Sequence, residues 1–202
     1  MKDLTFIDEN GDEQFVSGAD LLEWITNYLE DEDRQNEITM ANNPAHGIQI
    51  MQGQDCDEMR GAKGEFGLVE TNPIPVNGSL GQQIYLSKLR TSSGSRLLFQ
   101  RIGSTGNQVG TVDVYEVISF DGKFHGELFL ELYNKRRSRK APNGFKLAEG
   151  FSPITGDHVR IPGFPEGYRE HVYDRIQDRI LQRAFEDPEV IERAVKKLLS
   201  GS

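Results

Sequence analysis

The chain opens with two short runs of extended-type residues on either side of an Asn-Gly pair. The runs are TFI at residues 5–7 and QFV at residues 14–16, and Asn10-Gly11 lies between them. Asn-Gly readily adopts the positive backbone angles of a two-residue hairpin turn. The pattern therefore predicts a β-hairpin at the start of the chain.

An amphipathic pattern of helical period follows the hairpin. Ser17 and Asp20 have the spacing of a capping box, and apolar side chains then recur at helical intervals, at Leu21, Leu22, Ile25, Tyr28 and Leu29. These features predict a helix from residue 18 to residue 31. Its C-terminal end is acidic (EDED, residues 30–33), and negative charge is unfavourable there. We expect a basic group to compensate this end.

Three segments rich in β-branched and aromatic residues occupy the middle of the chain. They are RLLFQRIGS at 96–104, TVDVYEVIS at 111–119 and KFHGELFLELYN at 123–134, separated by Gly-containing connections. Each segment has the composition and length of a strand. Three such strands in succession predict an antiparallel β-meander.

The turn between the second and third strands sets their register. The sequence SFDGK suits a three-residue loop with Gly122 in the left-handed conformation, which pairs Ser119 with Lys123 and places Val114 opposite Leu128. A two-residue loop would instead place Glu116 opposite Glu127, and like charges at such positions cost up to about 1 kcal/mol. We therefore expect the first register.

The expected register gathers aromatic and acidic side chains on one face of the sheet. A face of this composition is either covered by a helix or open to a ligand. Its members are Tyr115, His125, Glu127, Phe129, Glu131 and Tyr133.

The remaining segments predict helices around this sheet. A capping box at Ser79 to Gln82 predicts a helix over 79–90, after a loop-rich region, 32–75, with short strands at 47–51 and 66–70. Two further helical patterns follow residue 165. The sequence thus predicts an α+β fold in two parts. Residues 1–165 form an α+β domain with the central antiparallel meander, the N-terminal hairpin and the packed helices. Residues 166–202 form a C-terminal helical pair, which is either a helical hairpin or a docking arm.

Composition narrows the class of protein. The chain has 202 residues, of which 36% are hydrophobic, and a single cysteine, Cys56. One cysteine excludes an intrachain disulfide framework and a cysteine-rich zinc site. The first residues lack the layout of a signal peptide, and no apolar run approaches the roughly 18 residues of a membrane span. We expect a soluble cytoplasmic protein that does not contact a membrane.

Charge is distributed unevenly along the chain. The formal net charge is -9, and residues 1–70 hold seventeen acidic but four basic side chains. In contrast, the basic segment, KRRSRK at residues 135–140, has five Lys or Arg in six positions. Such a segment either neutralises carboxylates of the same chain or of a protein partner, or clamps a phosphate or nucleic acid. We favour the first role.

Three loops resemble ligand sites but fit them poorly. Residues 103–110, GSTGNQVG, lack the lysine and following helix of a phosphate loop, and residues 8–13 lack the glycine and glutamate positions of a calcium loop. Residues 55–58, DCDE, offer one cysteine without a neighbouring histidine. We interpret them as a strand connection, a hairpin turn and a solvated acidic loop.

The sheet face offers one candidate for catalysis. Alternate strand positions bring His125, Glu127 and Glu131 together, and an imidazole beside carboxylates can perform acid-base or metal chemistry. Pairing of these carboxylates with the basic segment is the more common role for such groups. The sequence contains no catalytic fingerprint and implies no cofactor or resident metal.

The leading functional hypothesis is a non-enzymatic, cytoplasmic interaction module that binds a macromolecular partner, for which we expect a protein, through the basic segment and the sheet face. The first alternative is a metal-dependent hydrolase or phosphodiesterase that uses His125, Glu127 and Glu131. The second is a protein that binds oligonucleotides or phosphate ligands. The candidate binding residues are Lys135, Arg136, Arg137, Arg139, Lys140, Tyr133, Tyr115, Glu127, Glu131 and His125.

Overall fold

The computed structural model of the chain describes residues 4–7, 13–17, 27, 30–107, 110–150, 152 and 154–166. Mixed helices and strands make up this part. The helices are α1 (Glu32–Asn42), α2 (Pro44–Gln52) and α3 (Gly78–Lys88). The strands are β1 (Leu4–Ile7), β2 (Glu13–Val16), β3 (Ile74–Pro75), β4 (Leu89–Thr91), β5 (Leu97–Asn107), β6 (Gly110–Ser119), β7 (His125–Glu131), β8 (Phe145–Leu147) and β9 (Gly156–Asp157).

The central sheet has five strands in the order β3-β7-β6-β5-β9. The antiparallel pairs β5–β6 and β6–β7 confirm the predicted meander. At the two edges β3 pairs with β7 and β9 pairs with β5, both in parallel. These edge strands are not predicted from the sequence, because a strand of two residues is too short to show a periodic pattern.

The register between β6 and β7 differs from the prediction by one residue. Glu116 lies opposite Glu127, the pairing that the sequence analysis rejected, and Tyr115 lies opposite Leu128. The like-charge cost is offset because Glu116 accepts hydrogen bonds from Gln100 and His125. A slip of one residue moves a side chain to the other face of a sheet. Tyr115 consequently faces the core rather than the predicted aromatic-acidic face.

The core lies between α3 and the inner face of the meander. Tyr85 and Leu86 of α3 pack in one apolar cluster with sheet residues, among them Phe99, Tyr115, Val117, Leu128 and Leu130. The rings of Phe99 and Tyr115 meet edge to face at 6.1 Å. Each buried side chain of this size contributes about 1.5–3 kcal/mol relative to an exposed position. This packing fixes the sheet on which the candidate site is built.

Two predicted strands before α3 are wrong. Residues 47–51 belong to α2, which begins with Pro44 after the Asn43 cap, a start that favours a helix. A Cβ on Gly47 would lie 2.6 Å from the Cα of Met40, so the glycine permits the close approach of α1 and α2. Residues 66–70 form turns in which Gly67 has a φ of 74°.

Other predictions fall partly or wholly outside the described residues. The two strands of the predicted opening hairpin are present as β1 and β2, and its Asn10-Gly11 turn lies outside the described residues. Most of the predicted helix over 18–31 also lies outside the described residues, and Asn27 and Glu30, which are described, are helical. The C-terminal helical pair also lies outside, so the division at residue 166 stays a prediction. No helix among the described residues is long and apolar enough to cross a membrane.

Candidate functional site

The basic segment contacts the acidic residues that precede it in the chain. Arg137 Nη2 donates to the Glu30 carbonyl at 2.7 Å, Nη1 donates to Gln35 Oε1 at 3.0 Å, and Nε lies 3.5 Å from Glu32 Oε1. The Arg137 side chain is 14% exposed. Arg137 thus contacts residues 30 and 32 of the acidic stretch, and Lys88 Nζ lies 2.6 Å from Glu30 Oε2.

Arg136 and Lys140 make similar contacts with the DCDE loop. Arg136 Nε donates to Asp55 Oδ1 at 2.5 Å, and its Nη1 donates to Asp57 Oδ1 at 2.6 Å. Lys140 Nζ donates to Glu58 Oε2 at 2.5 Å. The Arg136 hydrogen bond lowers the pKa of Asp57, and the Lys140 hydrogen bond lowers that of Glu58. The loop is therefore an ion-pair partner of the basic segment, and its carboxylate side chains are still 42–66% exposed to solvent.

Lys135 and Arg139 differ from these three residues. Both are exposed, and within the described ranges their side chains make no hydrogen bond or salt bridge. Their main-chain amides are nevertheless fixed, by the Gln54 carbonyl at 3.0 Å and by Asp57 Oδ1 at 2.8 Å. The segment is thus anchored along its length while two of its cations face solvent.

The predicted aromatic-acidic face is divided by the observed register. His125 and Glu127 are exposed on it, whereas Glu131 is 4% exposed. Tyr115 lies on the opposite face, where its hydroxyl donates to Gln82 Oε1 at 2.9 Å and burial raises its pKa. Tyr133 packs edge to face against His46 at 5.7 Å. The structure therefore leaves His125 and Glu127 as the accessible polar members of the predicted set.

A cavity of about 700 Å³ lies beside these two residues. Strands β5, β6 and β7 provide one wall, and residues 160–163 after β9 provide the other. This volume is in the range of small-molecule sites. The cavity is lined by Gln100, Ile102, Glu116, His125, Gly126, Glu127, Arg160, Ile161, Pro162 and Gly163.

A chain of hydrogen bonds holds the imidazole of His125 at this cavity. The Ile161 amide donates to Gln100 Oε1 at 2.8 Å, and Gln100 Nε2 donates to Glu116 Oε2 at 2.7 Å. The other oxygen, Glu116 Oε1, lies 2.8 Å from His125 Nε2. Gln100 and Ile161 are buried, so the chain begins in the core and ends at an imidazole that is 61% exposed. We call this chain the Gln100–Glu116–His125 relay.

The relay determines which nitrogen of His125 can accept a proton. Although burial opposes it, the hydrogen bonds from Gln100 and His125 lower the pKa of Glu116. An ionised carboxylate accepts hydrogen bonds but cannot donate them. Neutral His125 therefore carries its proton on Nε2, and Nδ1 presents a lone pair.

Arg160 and Glu127 add opposite charges to the cavity. Arg160 is exposed, its Nη2 lies 3.4 Å from the Ile102 carbonyl, and its positive charge contributes to the lowered pKa of Glu116. Glu127 is exposed on the strand beside Glu116. The cavity thus combines a proton acceptor, a guanidinium and two carboxylates.

Glu131, the third predicted catalytic residue, lies outside the cavity lining. Its Oε2 accepts from Asn134 Nδ2 at 2.5 Å and from the Tyr133 amide at 3.2 Å. Burial raises the pKa of Glu131 to about 7, and the charge of Asp113 acts in the same direction. This carboxyl group has a structural setting rather than access to a substrate.

Gln100, Glu116 and Arg160 belong to the site but were not predicted from the sequence. Gln100 is a polar residue at a buried strand position, and such positions usually hold a hydrogen-bond partner. Glu116 was excluded by the rejected register. Arg160 lies 35 positions after His125 in a loop, and no local pattern signals its approach to the sheet.

Comparisons with known proteins add no assignment to this geometry. No protein-family model matches the chain, and searches of curated proteins and of solved structures return no match. Among the described residues, no group of three or more His, Cys, Asp or Glu side chains is arranged to hold a metal ion.

Proposed function

We propose that the protein is a hydrolase that uses His125 as a general base. The observation that carries the proposal is the Gln100–Glu116–His125 relay, which orients an exposed imidazole at the mouth of a cavity. A base held in this way by a carboxylate is a recurring arrangement in acid-base catalysis. The proposal keeps His125 and Glu127 of the hydrolase hypothesis and replaces Glu131 by Glu116.

In the proposed reaction His125 Nδ1 takes a proton from water. The water oxygen attacks the carbonyl carbon or phosphorus of the substrate, and the bond to the leaving group breaks. The leaving group then receives the proton from the imidazolium. Glu116 holds the ring and stabilises its positive charge during the reaction, while Arg160 is placed to neutralise negative charge on the attacked group. No step in this scheme requires a metal ion.

The first prediction concerns turnover. In a screen of carboxylic esters, phosphodiesters and phosphomonoesters, with and without a chelator, His125→Gln should lower kcat/KM by about 100-fold, since this is the usual contribution of a general base. Glu116→Gln should lower it by about tenfold, because the amide no longer stabilises the imidazolium. His46→Gln is the matched control, since His46 is an imidazole outside the cavity lining.

Equal activity in His125→Gln and in the wild-type protein would exclude this mechanism. Activity that disappears with the chelator and returns with a divalent ion would instead support the metal-dependent form of the hydrolase hypothesis. Binding of a substrate without turnover would identify the cavity as a non-enzymatic ligand site.

The exposed cations of the basic segment favour a second candidate function, a module that binds an acidic protein partner. Arg136, Arg137 and Lys140 are already paired with carboxylates of the chain. The ammonium group of Lys135 and the guanidinium group of Arg139 are exposed and are therefore available to a partner. This candidate narrows the original hypothesis from five basic side chains to two.

The second prediction separates binding from folding at this segment. Lys135→Ala combined with Arg139→Ala should remove a partner recovered by affinity capture and leave the melting temperature unchanged, because both side chains are exposed. Retention of the partner by this double variant would reject the candidate. Binding of a single-stranded oligonucleotide whose affinity falls steeply with salt would instead favour the nucleic-acid hypothesis.

A further inference from the structure

We infer that the cavity accepts a substrate with a singly charged oxyanion, a carboxylate or a phosphodiester, and that Arg160 is the residue that anchors it. The inference rests on the proposed function, since it concerns the substrate of the same cavity. It follows from the number, sign and position of the charges along the cavity wall, and from the way residue 160 is held.

Arg160 is positioned by its neighbour Ile161, and its guanidinium forms no ion pair with any residue that the structure describes. The Ile161 amide donates to Gln100 Oε1 at 2.8 Å, and Ile161 is 3% exposed, so this residue fixes the loop against the sheet. With the described part of the chain, the guanidinium of Arg160 forms one long hydrogen bond, at 3.4 Å to the Ile102 carbonyl. Most of its five N–H donors remain available, and a guanidinium binds carboxylates and phosphates through paired hydrogen bonds.

The remaining charges limit how negative the ligand can be. Glu116 and Glu127 lie opposite each other on adjacent strands, and both line the cavity with Arg160. With both carboxylates ionised and His125 neutral, the lining has one positive and two negative groups. A single negative charge on the ligand can pair with Arg160. A second negative charge finds no further cation in the lining and is repelled by the carboxylates.

The other lining residues suit an uncharged remainder of the ligand. Ile102, Ile161 and Pro162 provide an apolar wall of the cavity. With about 700 Å³ available, the cavity can accept a group of the size of one or two rings beside the oxyanion. A bulky carboxylate or phosphodiester is therefore a better fit than inorganic phosphate.

The inference is tested by calorimetric titration with three probes at about pH 8. The probes are bis(4-nitrophenyl) phosphate and 4-nitrobenzoate, which are monoanions, and 4-nitrophenyl phosphate, which is mainly a dianion at this pH. At least one monoanion should bind about tenfold more tightly than the dianion. The tighter of the two monoanions identifies the substrate as a phosphodiester or a carboxylate.

Two variants test the assignment of Arg160 and the charge argument. Arg160→Gln should weaken monoanion binding by about tenfold or more. Arg96→Gln, which removes an exposed arginine outside the lining, should leave monoanion binding unchanged. Glu127→Gln removes one negative group and should reduce the preference for the monoanion by several-fold. Removing a carboxylate increases the affinity for the dianion more than the affinity for the monoanion, because the dianion is repelled more strongly by Glu127.

Three outcomes would overturn the inference: no binding of any probe, equal or tighter binding of the dianion, or unchanged binding in Arg160→Gln. The titrations are repeated on the His125→Gln protein, in which turnover is expected to be about 100-fold lower, so that the heat of binding is measured separately from the heat of hydrolysis. If His125→Gln leaves the reaction rate unchanged while the monoanion preference and the Arg160 effect are present, the hydrolase proposal fails and the ligand assignment stands.

Discussion

Replacing Arg137 with alanine is expected to lower the free energy of unfolding by about 3 kcal/mol. The side chain bridges the Glu30 carbonyl, Gln35 and Glu32, and it is largely buried. Removal of one partner from a buried ion pair typically costs about 3–5 kcal/mol, because the groups left behind lose their compensation. We choose the lower end of that range, since Glu32 is partly exposed and water can reach it. Chemical denaturation followed by circular dichroism measures the change.

Lys135→Ala provides the matched comparison for this prediction. It removes one positive charge from the same segment, but the side chain is exposed, so stability should change by less than about 0.5 kcal/mol. Equal losses in the two variants would mean that net charge, and not the contacts of Arg137, is responsible. If Arg137→Ala lowers the free energy of unfolding by less than about 1 kcal/mol, the contacts of Arg137 do not stabilise the fold as proposed. That result would favour a role of the segment in binding partners.

Glu131→Gln should make the protein more stable at about pH 8, by about 3 kcal/mol relative to the wild-type protein. Burial raises the pKa of this carboxyl group from 4.5 to about 7, so the folded state favours the protonated form. An acid of this kind stabilises the fold fully below about pH 4.5, and the contribution is lost as pH rises to about 7. The magnitude follows from about 1.4 kcal/mol for each pKa unit.

The glutamine variant retains the local hydrogen bonds while it removes the charge. Its Oε1 can still accept from Asn134 and from the Tyr133 amide, as Glu131 Oε2 does. Unfolding curves for both proteins between about pH 4.5 and pH 8 should therefore diverge as pH rises. Parallel curves would show that Glu131 titrates in its ordinary range and that the fold tolerates its charge.

The types of the main elements could be predicted from the sequence because they depend on local patterns. Alternating and β-branched residues identified β5, β6 and β7, and a helical pattern after Asn77 identified α3 to within two residues of its C-terminal end. The short helix α2 was mistaken for a strand. Taken alone, the short apolar run GIQIM is compatible with either a strand or a helix. The Asn43 cap and Pro44, which precede it, favour the helix.

The register of the meander could not be predicted from charge alone. The repulsion between Glu116 and Glu127 was identified correctly, but its cost depends on which groups surround Glu116. Gln100 and His125 satisfy that carboxylate in the folded chain. A rule that considers the residues of β6 and β7 in pairs does not include Gln100, which lies on β5. It therefore favoured the wrong register and placed Tyr115 on the wrong face of the sheet.

The pairing of the basic segment with carboxylates of the same chain was predicted in part. Five cations in six residues predicted that the segment pairs with negatively charged groups. The seventeen acidic side chains in residues 1–70 indicated which part of the chain could provide them. Which cations would be engaged was not predictable. Arg136 and Arg137 turn toward carboxylates, while Lys135 and Arg139 remain exposed, and this division follows from how the segment is anchored to Gln54 and Asp57.

The sequence by itself determined the strands of the meander, the helix before it and the opposition between an acidic first third and a basic segment. These features follow from the order of residues over a few positions, because backbone preferences and charge density are local properties. The tertiary structure alone decided that Gln100, Glu116, His125 and Arg160 share a cavity. Their contacts join residues up to sixty positions apart, and they form because close packing and the exclusion of water require buried polar groups to find partners across the fold.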